Sequence, residues 1–179
     1  MKNVEKIRLS DIQPADTFMI EKQEFVVLEH SDDTTLVILK GLLCSSMVFG
    51  TNNCYDGSNA DEACNKFATK IAAMVGEENL VEHMVDLTSD DGLKDYGKVK
   101  RYASLLTADL YRRYVEILDK YKIDDWWWLS TPYSTAKHGN SRWVKCVAPS
   151  GGISGDYYYG DINGVRPFCI LKSNIFVST

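Results

Sequence analysis

The chain has 179 residues, one domain's length, enough to bury about 70% of the surface its unfolded form exposes without a disulfide or metal. Apolar residues make up 45% and charged residues 25%, which excludes intrinsic disorder. Lys and Arg number 20 against 25 Asp and Glu, a net charge of −5. That balance argues against direct nucleic-acid binding, where a basic domain is the usual footprint, and leaves room for a basic protein partner.

The first residues, Met1 to Gln13, carry no apolar h-region. The longest apolar runs, such as Phe25 to Leu28 and Leu36 to Leu39, are far shorter than the ~20 residues of a membrane span. A cytoplasmic protein without membrane contact is therefore expected. Its five cysteines, none in C-x-x-C spacing, are expected to stay reduced.

In chain order, residues 1–43 read as a β region, with strands at Thr17–Ile20, Glu24–Glu29 and Thr34–Lys40. Ser31-Asp32-Asp33 supplies the turn between the last two. Both of these strands are nearly continuous in apolar residues, so both faces are expected to be covered. Gly50 to Gly57 is a polar loop. Ser58 then caps a helix whose apolar residues recur at Ala60, Ala63, Cys64, Phe67, Ile71, Met74 and Val75, and Gly76 stops it. Val81 to Leu87 alternates as a strand, and Thr88 to Gly97 is an acidic loop.

Tyr102 to Leu106 is a further short strand. Thr107 caps a second helix with Leu110, Tyr111, Tyr114, Val115, Leu118 and Tyr121 on its stripe, and Lys120 and Lys122 at its electronegative end. Strands follow at Trp126–Ser130, Arg142–Val147, Ile153–Tyr159 and Val165–Leu171, with a turn at Pro149-Ser150-Gly151-Gly152. The pattern is α+β in a single domain: the β region of residues 1–43, then a core over residues 44–179 with two helices and loop-rich antiparallel sheets.

Catalytic and metal motifs are weak. Counted from Asp86, the acidic loop puts Asp91 at the sixth position and Gly97 at the twelfth, which fails the EF-hand pattern. The cysteines at 44, 54, 64, 146 and 169 and the histidines at 30, 83 and 138 lack zinc spacing. Cys64, Cys146 and Cys169 lie in apolar patterns and read as buried small hydrophobes. His83 reads as a core histidine and His138 as exposed in a polar loop. There is no G-x-S-x-G, P-loop or dinucleotide fingerprint. The expectation is a protein that is not an enzyme, with no metal and no cofactor; oxidative chemistry at Cys146 or Cys169 is the weakest alternative.

Two aromatic clusters and one charge pattern carry the binding readings. Trp126-Trp127-Trp128 places indoles on both faces of a strand, so that at least one enters a core and at least one points to a surface or loop. Tyr133, Tyr157, Tyr158, Tyr159 and Asp161 lie among Ser, Gly and Asn, the composition of antibody contact loops; they form either a ligand-binding face or packing in a loop-rich domain. Residues 77–95 hold seven acids and one Lys, and residues 98–122 hold seven bases and three acids. These blocks either face each other or form two separate faces. In the second case Glu77, Glu78, Glu82, Asp90, Asp91 and Asp95 form an acidic partner-binding surface.

Trp127-Trp128-Leu129-Ser130-Thr131-Pro132 followed by Gly164-Val165-Arg166-Pro167 resembles a domain of unknown function, W-W-L-R-S-P … G-V-R-P, widespread in Firmicutes and their phages. Ser130 stands where that pattern has Arg. The domain is similar to the C-type-lectin and formylglycine-generating-enzyme fold, and the resemblance implies a C-type-lectin-like core with variable ligand-binding loops. Tyr55-Asp56-Gly57-Ser58, Val85 to Gly97 and Gly164 to Ser173 extend the likeness over nearly the whole chain, to stand-alone phage and prophage proteins of gut Firmicutes. That group is linked with type II anti-CRISPR proteins. The resemblance thus implies a phage-encoded inhibitor acting in the bacterial host cell on Cas9 with its guide RNA; the alternative is a glycan- or ligand-binding module of a phage tip or adhesin. Trp127, Trp128 and Arg166 are expected to be structural, with Arg166 in a buried or half-buried ion pair or on a carbonyl cluster.

Overall fold

The computed structural model describes residues 6–160 and 162–179. The strands are β1 (Lys6–Arg8), β2 (Thr17–Ile20), β3 (Gln23–Ser31), β4 (Thr34–Leu39), β5 (Cys44–Val48), β6 (Leu80–Val81), β7 (His83–Asp86), β8 (Lys98–Arg101), β9 (Ala103–Leu105), β10 (Trp127–Pro132), β11 (Trp143–Val147), β12 (Ile153–Tyr157), β13 (Ile162–Val165), β14 (Pro167–Lys172) and β15 (Phe176–Ser178). The helices are α1 (Asn59–Val75) and α2 (Ala108–Leu118). The fold is α+β and mostly antiparallel. Among the described residues no helix is long and apolar enough to cross a membrane.

One sheet runs β1-β15-β2-β3-β4-β14-β6, with β9 sharing the β14 edge beside β6, and curls into a half-barrel. A second runs β12-β11-β10-β13-β5, with only β10 and β13 parallel, and β7 and β8 form a hairpin apart from both. The middle of the large sheet is covered on both faces, as its unbroken apolar strands require. Phe25, Val27, Val37 and Leu39 meet Phe67 and Ile71 of α1. Val26, Leu28 and Ile38 meet Tyr111, Tyr114 and Leu118 of α2, together with Trp127. A third core collects Phe49, Tyr55, Cys64, Leu105, Trp128 and Val144.

Local signals set the helices. Ser58 Oγ accepts from the Asp61 N–H at 3.1 Å, and Thr107 Oγ1 accepts from the Leu110 N–H at 3.1 Å. Gly76 ends α1 with φ +93°, a conformation costly for residues with a Cβ. The stripe of α2 reaches Tyr121 only through a tighter turn: the backbone bends at Tyr114, and residues Asp119–Tyr121 form a 3-10 turn.

Two stretches that each read as one strand divide between sheets. In Val81 to Leu87 the chain leaves the large sheet after β6 and enters the hairpin at β7. In Val165 to Leu171 it leaves the five-stranded sheet at Val165 and joins the large sheet at Pro167. Arg166 is the crossing residue. Its side chain is 1% exposed, Nε donates to Leu39 O at 2.9 Å, Nη2 donates to Lys40 O at 2.9 Å, and the guanidinium lies 5.2 Å from the Trp127 ring centroid. The expected ion pair is absent among the described residues; the guanidinium instead sits on a carbonyl cluster, which spares the buried cation a carboxylate. Gly164, opposite Trp127 in the parallel register, leaves room for Leu42, whose Cδ1 would be 2.5 Å from an added Cβ. Trp127 and Trp128 fill the second and third cores from opposite faces of one strand, while Trp126 remains partly exposed.

Candidate functional site: an aromatic shelf

The register of β11 and β12 builds an aromatic surface. Trp143 pairs with Tyr157 and Lys145 with Gly155, so these four residues share one face of the sheet. The Trp143 and Tyr157 rings meet edge to face at 6.1 Å. Tyr133, just past β10, lies beside Gly155, where an added Cβ would be 3.9 Å from Tyr133 Cδ2. Lys145 Nζ is 5.3 Å from the Tyr133 ring centroid and 3.3 Å from Asp90 Oδ2. Trp143 and Tyr133 are 41% and 46% exposed, although both are large and partly apolar. Tyr158 stacks on Tyr157 at 5.0 Å, and Tyr159, 68% exposed, continues the row.

The loop beneath the shelf is held by polar contacts. Asn53 Nδ2 donates to Ser134 O at 2.8 Å and to Trp143 O at 3.1 Å, while its Oδ1 accepts from Tyr96 OH at 2.7 Å. Asp91 accepts from Ser134 Oγ at 2.6 Å, Ser89 Oγ at 2.5 Å and His138 Nδ1 at 2.8 Å. These bonds, Ser134 foremost, hold its carboxyl well below the usual carboxylate range.

The acidic segment lies against the basic one. Asp86 pairs with Lys98 at 3.1 Å and Glu82 with Lys100 at 3.0 Å along the β7–β8 hairpin. Asp90 pairs with Arg112 at 3.0 Å as well as with Lys145, and Asp95 is 3.8 Å from Lys137. Glu77 and Glu78 stand exposed on the 3-10 turn after α1, and no ion pair engages them among the described residues. Thus, among the described residues, four of the six acids singled out from sequence have a basic side chain as partner, His138 for Asp91, and two have none.

The tyrosines singled out do come together, on the shelf and in the row beside it. Asp161 lies outside the described residues. Trp143, Lys145 and Gly155 were missed; the alternation of Trp143 and Lys145 with buried Val144 and Cys146 was the signal available in sequence.

Nucleophilic candidates are placed differently. Burial pushes the Cys64 and Cys169 thiols up to about 12, suppressing the thiolate. Cys146 Sγ donates to Asp156 Oδ2 at 3.3 Å. His30 bonds to Thr35 and to Ile12 O, His83 Nε2 to Ser104, and His138 to Asp91; none of these partners is a cysteine. Among the described residues no group of three or more His, Cys, Asp and Glu side chains is placed to hold a metal ion.

No protein-family model matches the chain, and neither a curated protein nor a solved structure is similar to it.

Proposed function

We propose that this protein acts by binding, as a non-enzymatic module of C-type-lectin-like type that docks a partner protein on the aromatic shelf. The observation that carries this reading is the Trp143–Tyr157 pair, two partly exposed aromatic residues opposed between β11 and the edge strand β12, with Tyr133 beside Gly155 on the same face. Rigid aromatic rings give large contact area at low conformational entropy cost and serve as anchors at interfaces. The polar contacts of Asn53 and Asp91 hold the supporting loop before a partner arrives, which reduces the ordering cost of binding.

The resemblance to phage and prophage proteins of gut Firmicutes makes Cas9 with its guide RNA the partner of choice and inhibition of DNA cleavage the outcome. In this mechanism the shelf anchors the contact and the exposed Glu77 and Glu78 steer it towards a basic nucleic-acid channel. Titration of a Cas9–guide complex with the protein tests it. Complex formation and loss of target cleavage are expected, with both weakened by Trp143→Ala. Unchanged cleavage and no complex at saturating protein would defeat the Cas9 assignment.

A second reading, glycan binding, is favoured by the partly exposed rings of Trp143 and Tyr133, whose flat apolar faces suit the stacking of a sugar ring. A glycan array reads it directly: binding lost in Trp143→Ala supports it, and an array without signal removes it.

A further inference from the structure

Away from the shelf, a cleft of about 500 Å³ opens between the ends of β3 and β4 and the turn that follows α2. Its walls include Glu24, Lys40, Gly41, Lys120, Tyr121 and Lys122, and it shares no residue with the shelf. Three cations against one carboxylate leave this lining electropositive. Lys40 pairs with Glu24 at 2.9 Å, and Lys122 lies 3.7 Å from Asp119, whereas Lys120 has no ion-pair partner among the described residues. The electronegative end of α2 favours lysines at this place but neutralises only part of their charge.

The backbone of the wall is polarised in the same sense. Arg166, buried behind it with no carboxylate partner among the described residues, takes the carbonyls of Leu39 and Lys40. In a trans peptide the N–H points opposite to the C=O. The Gly41 N–H is therefore directed away from Arg166, and no acceptor among the described residues takes it. Gly41 lines the cleft, and an added Cβ there would meet nothing within 4 Å, so no side chain crowds this residue. An outward amide backed by a buried cation and flanked by lysines favours an anion.

We propose that this cleft binds a compact phosphate-bearing anion, held by the Gly41 N–H and the ammonium groups of Lys40, Lys120 and Lys122. Tyr121, fixed by its hydroxyl bond to Ala15 O at 2.6 Å, adds an aromatic wall. The site is separate from the partner-binding shelf, and its presence or absence leaves that reading untouched.

The test is an amide-resolved NMR titration with inorganic pyrophosphate at low ionic strength, with sodium chloride at matched ionic strength as control. Saturable shifts at Gly41 and Leu42 are expected. The exposed pair Lys120→Gln/Lys122→Gln should weaken binding by about tenfold or more, while Lys66→Gln/Lys70→Gln on α1 should leave it unchanged. Adenosine monophosphate separates the two sources of such a group. Tighter binding than pyrophosphate indicates a nucleotide stacked on Tyr121, and weaker binding indicates phosphate alone; either result supports the site. Shifts that do not saturate, shifts centred elsewhere, or equal losses in the two double variants would overturn it.

Discussion

Arg101 and Asp61 meet in a two-point ion pair that ties the β7–β8 hairpin to the first turn of α1. Arg101 Nε donates to Asp61 Oδ1 at 2.7 Å and Nη2 to Oδ2 at 2.6 Å, and Nη2 also reaches Asp56 Oδ1 at 2.6 Å. Asp61 is 2% exposed and further accepts from the Gly57 N–H at 2.9 Å. One carboxylate thus joins a helix start, the preceding loop and a distant hairpin.

Breaking one side of such a pair leaves a buried charge without its partner, at a cost of about 3–5 kcal/mol. Arg101→Ala should lower stability by that order in urea unfolding. Arg101→Lys should recover only part of it, because an ammonium lacks the planar two-point fork. A variant as stable as the parent would show that solvent replaces the pair.

Arg166→Met should cost about 2–4 kcal/mol, because it strips the Leu39 and Lys40 carbonyls of their donors at the point where the chain changes sheets. Since the guanidinium lies over Trp127, the near-ultraviolet dichroism of that indole should change as well. Loss of stability without any change at Trp127 would contradict the described contact.

Ser130 gives the opposite sign. Its Oγ is buried without a hydrogen-bond partner among the described residues, so the hydroxyl contributes desolvation cost and no bond. Ser130→Ala is expected to be neutral or to raise stability by about 1 kcal/mol. A clear loss in thermal unfolding would mean that the hydroxyl is satisfied in solution.

His83 predicts acid sensitivity. Burial against Phe168, whose ring lies 4.6 Å away, pushes the imidazole pKa down from its ordinary value near 6.5 to about 4. The unfolded chain binds the proton more readily over that interval. Stability should therefore fall as pH drops from about 6.5 to about 4, by roughly 3 kcal/mol from this residue, and change little from this source at higher pH. In His83→Asn, urea unfolding across this range should show a shallower pH dependence; an unchanged slope would assign the effect to other groups.

Ser58, Thr107 and Gly76 mark helix ends because capping and φ > 0 involve a few consecutive residues. Strands β2, β3 and β4 follow from apolar runs punctuated by turn residues. The strand Cys44–Val48 was not recognised, since its Cys-Ser-Ser core has neither alternation nor bulk and its pairing is supplied by β13. The short strands β1 and β15 pair across the full length of the chain and carry too few residues to announce themselves. Of the shelf, the tyrosines were visible in sequence, but Trp143 became a site residue only through its register with Tyr157.

The net charge of −5 conceals two blocks of opposite sign, and the sequence left open whether these faced each other. The hairpin and its surroundings oppose most of the acids to bases, leaving Glu77 and Glu78 without ion-pair partners among the described residues. By itself the sequence determined the helices, most of the strands and the two-sided burial of the β region, because periodicity and capping are local. Only the tertiary structure decided where residues 165 and 167 part into different sheets, which acids are paired, and that Trp143, Tyr157 and Tyr133 make one surface. Those outcomes depend on which distant strand supplies the next hydrogen bond, and a one-residue change of register would turn each side chain to the other face.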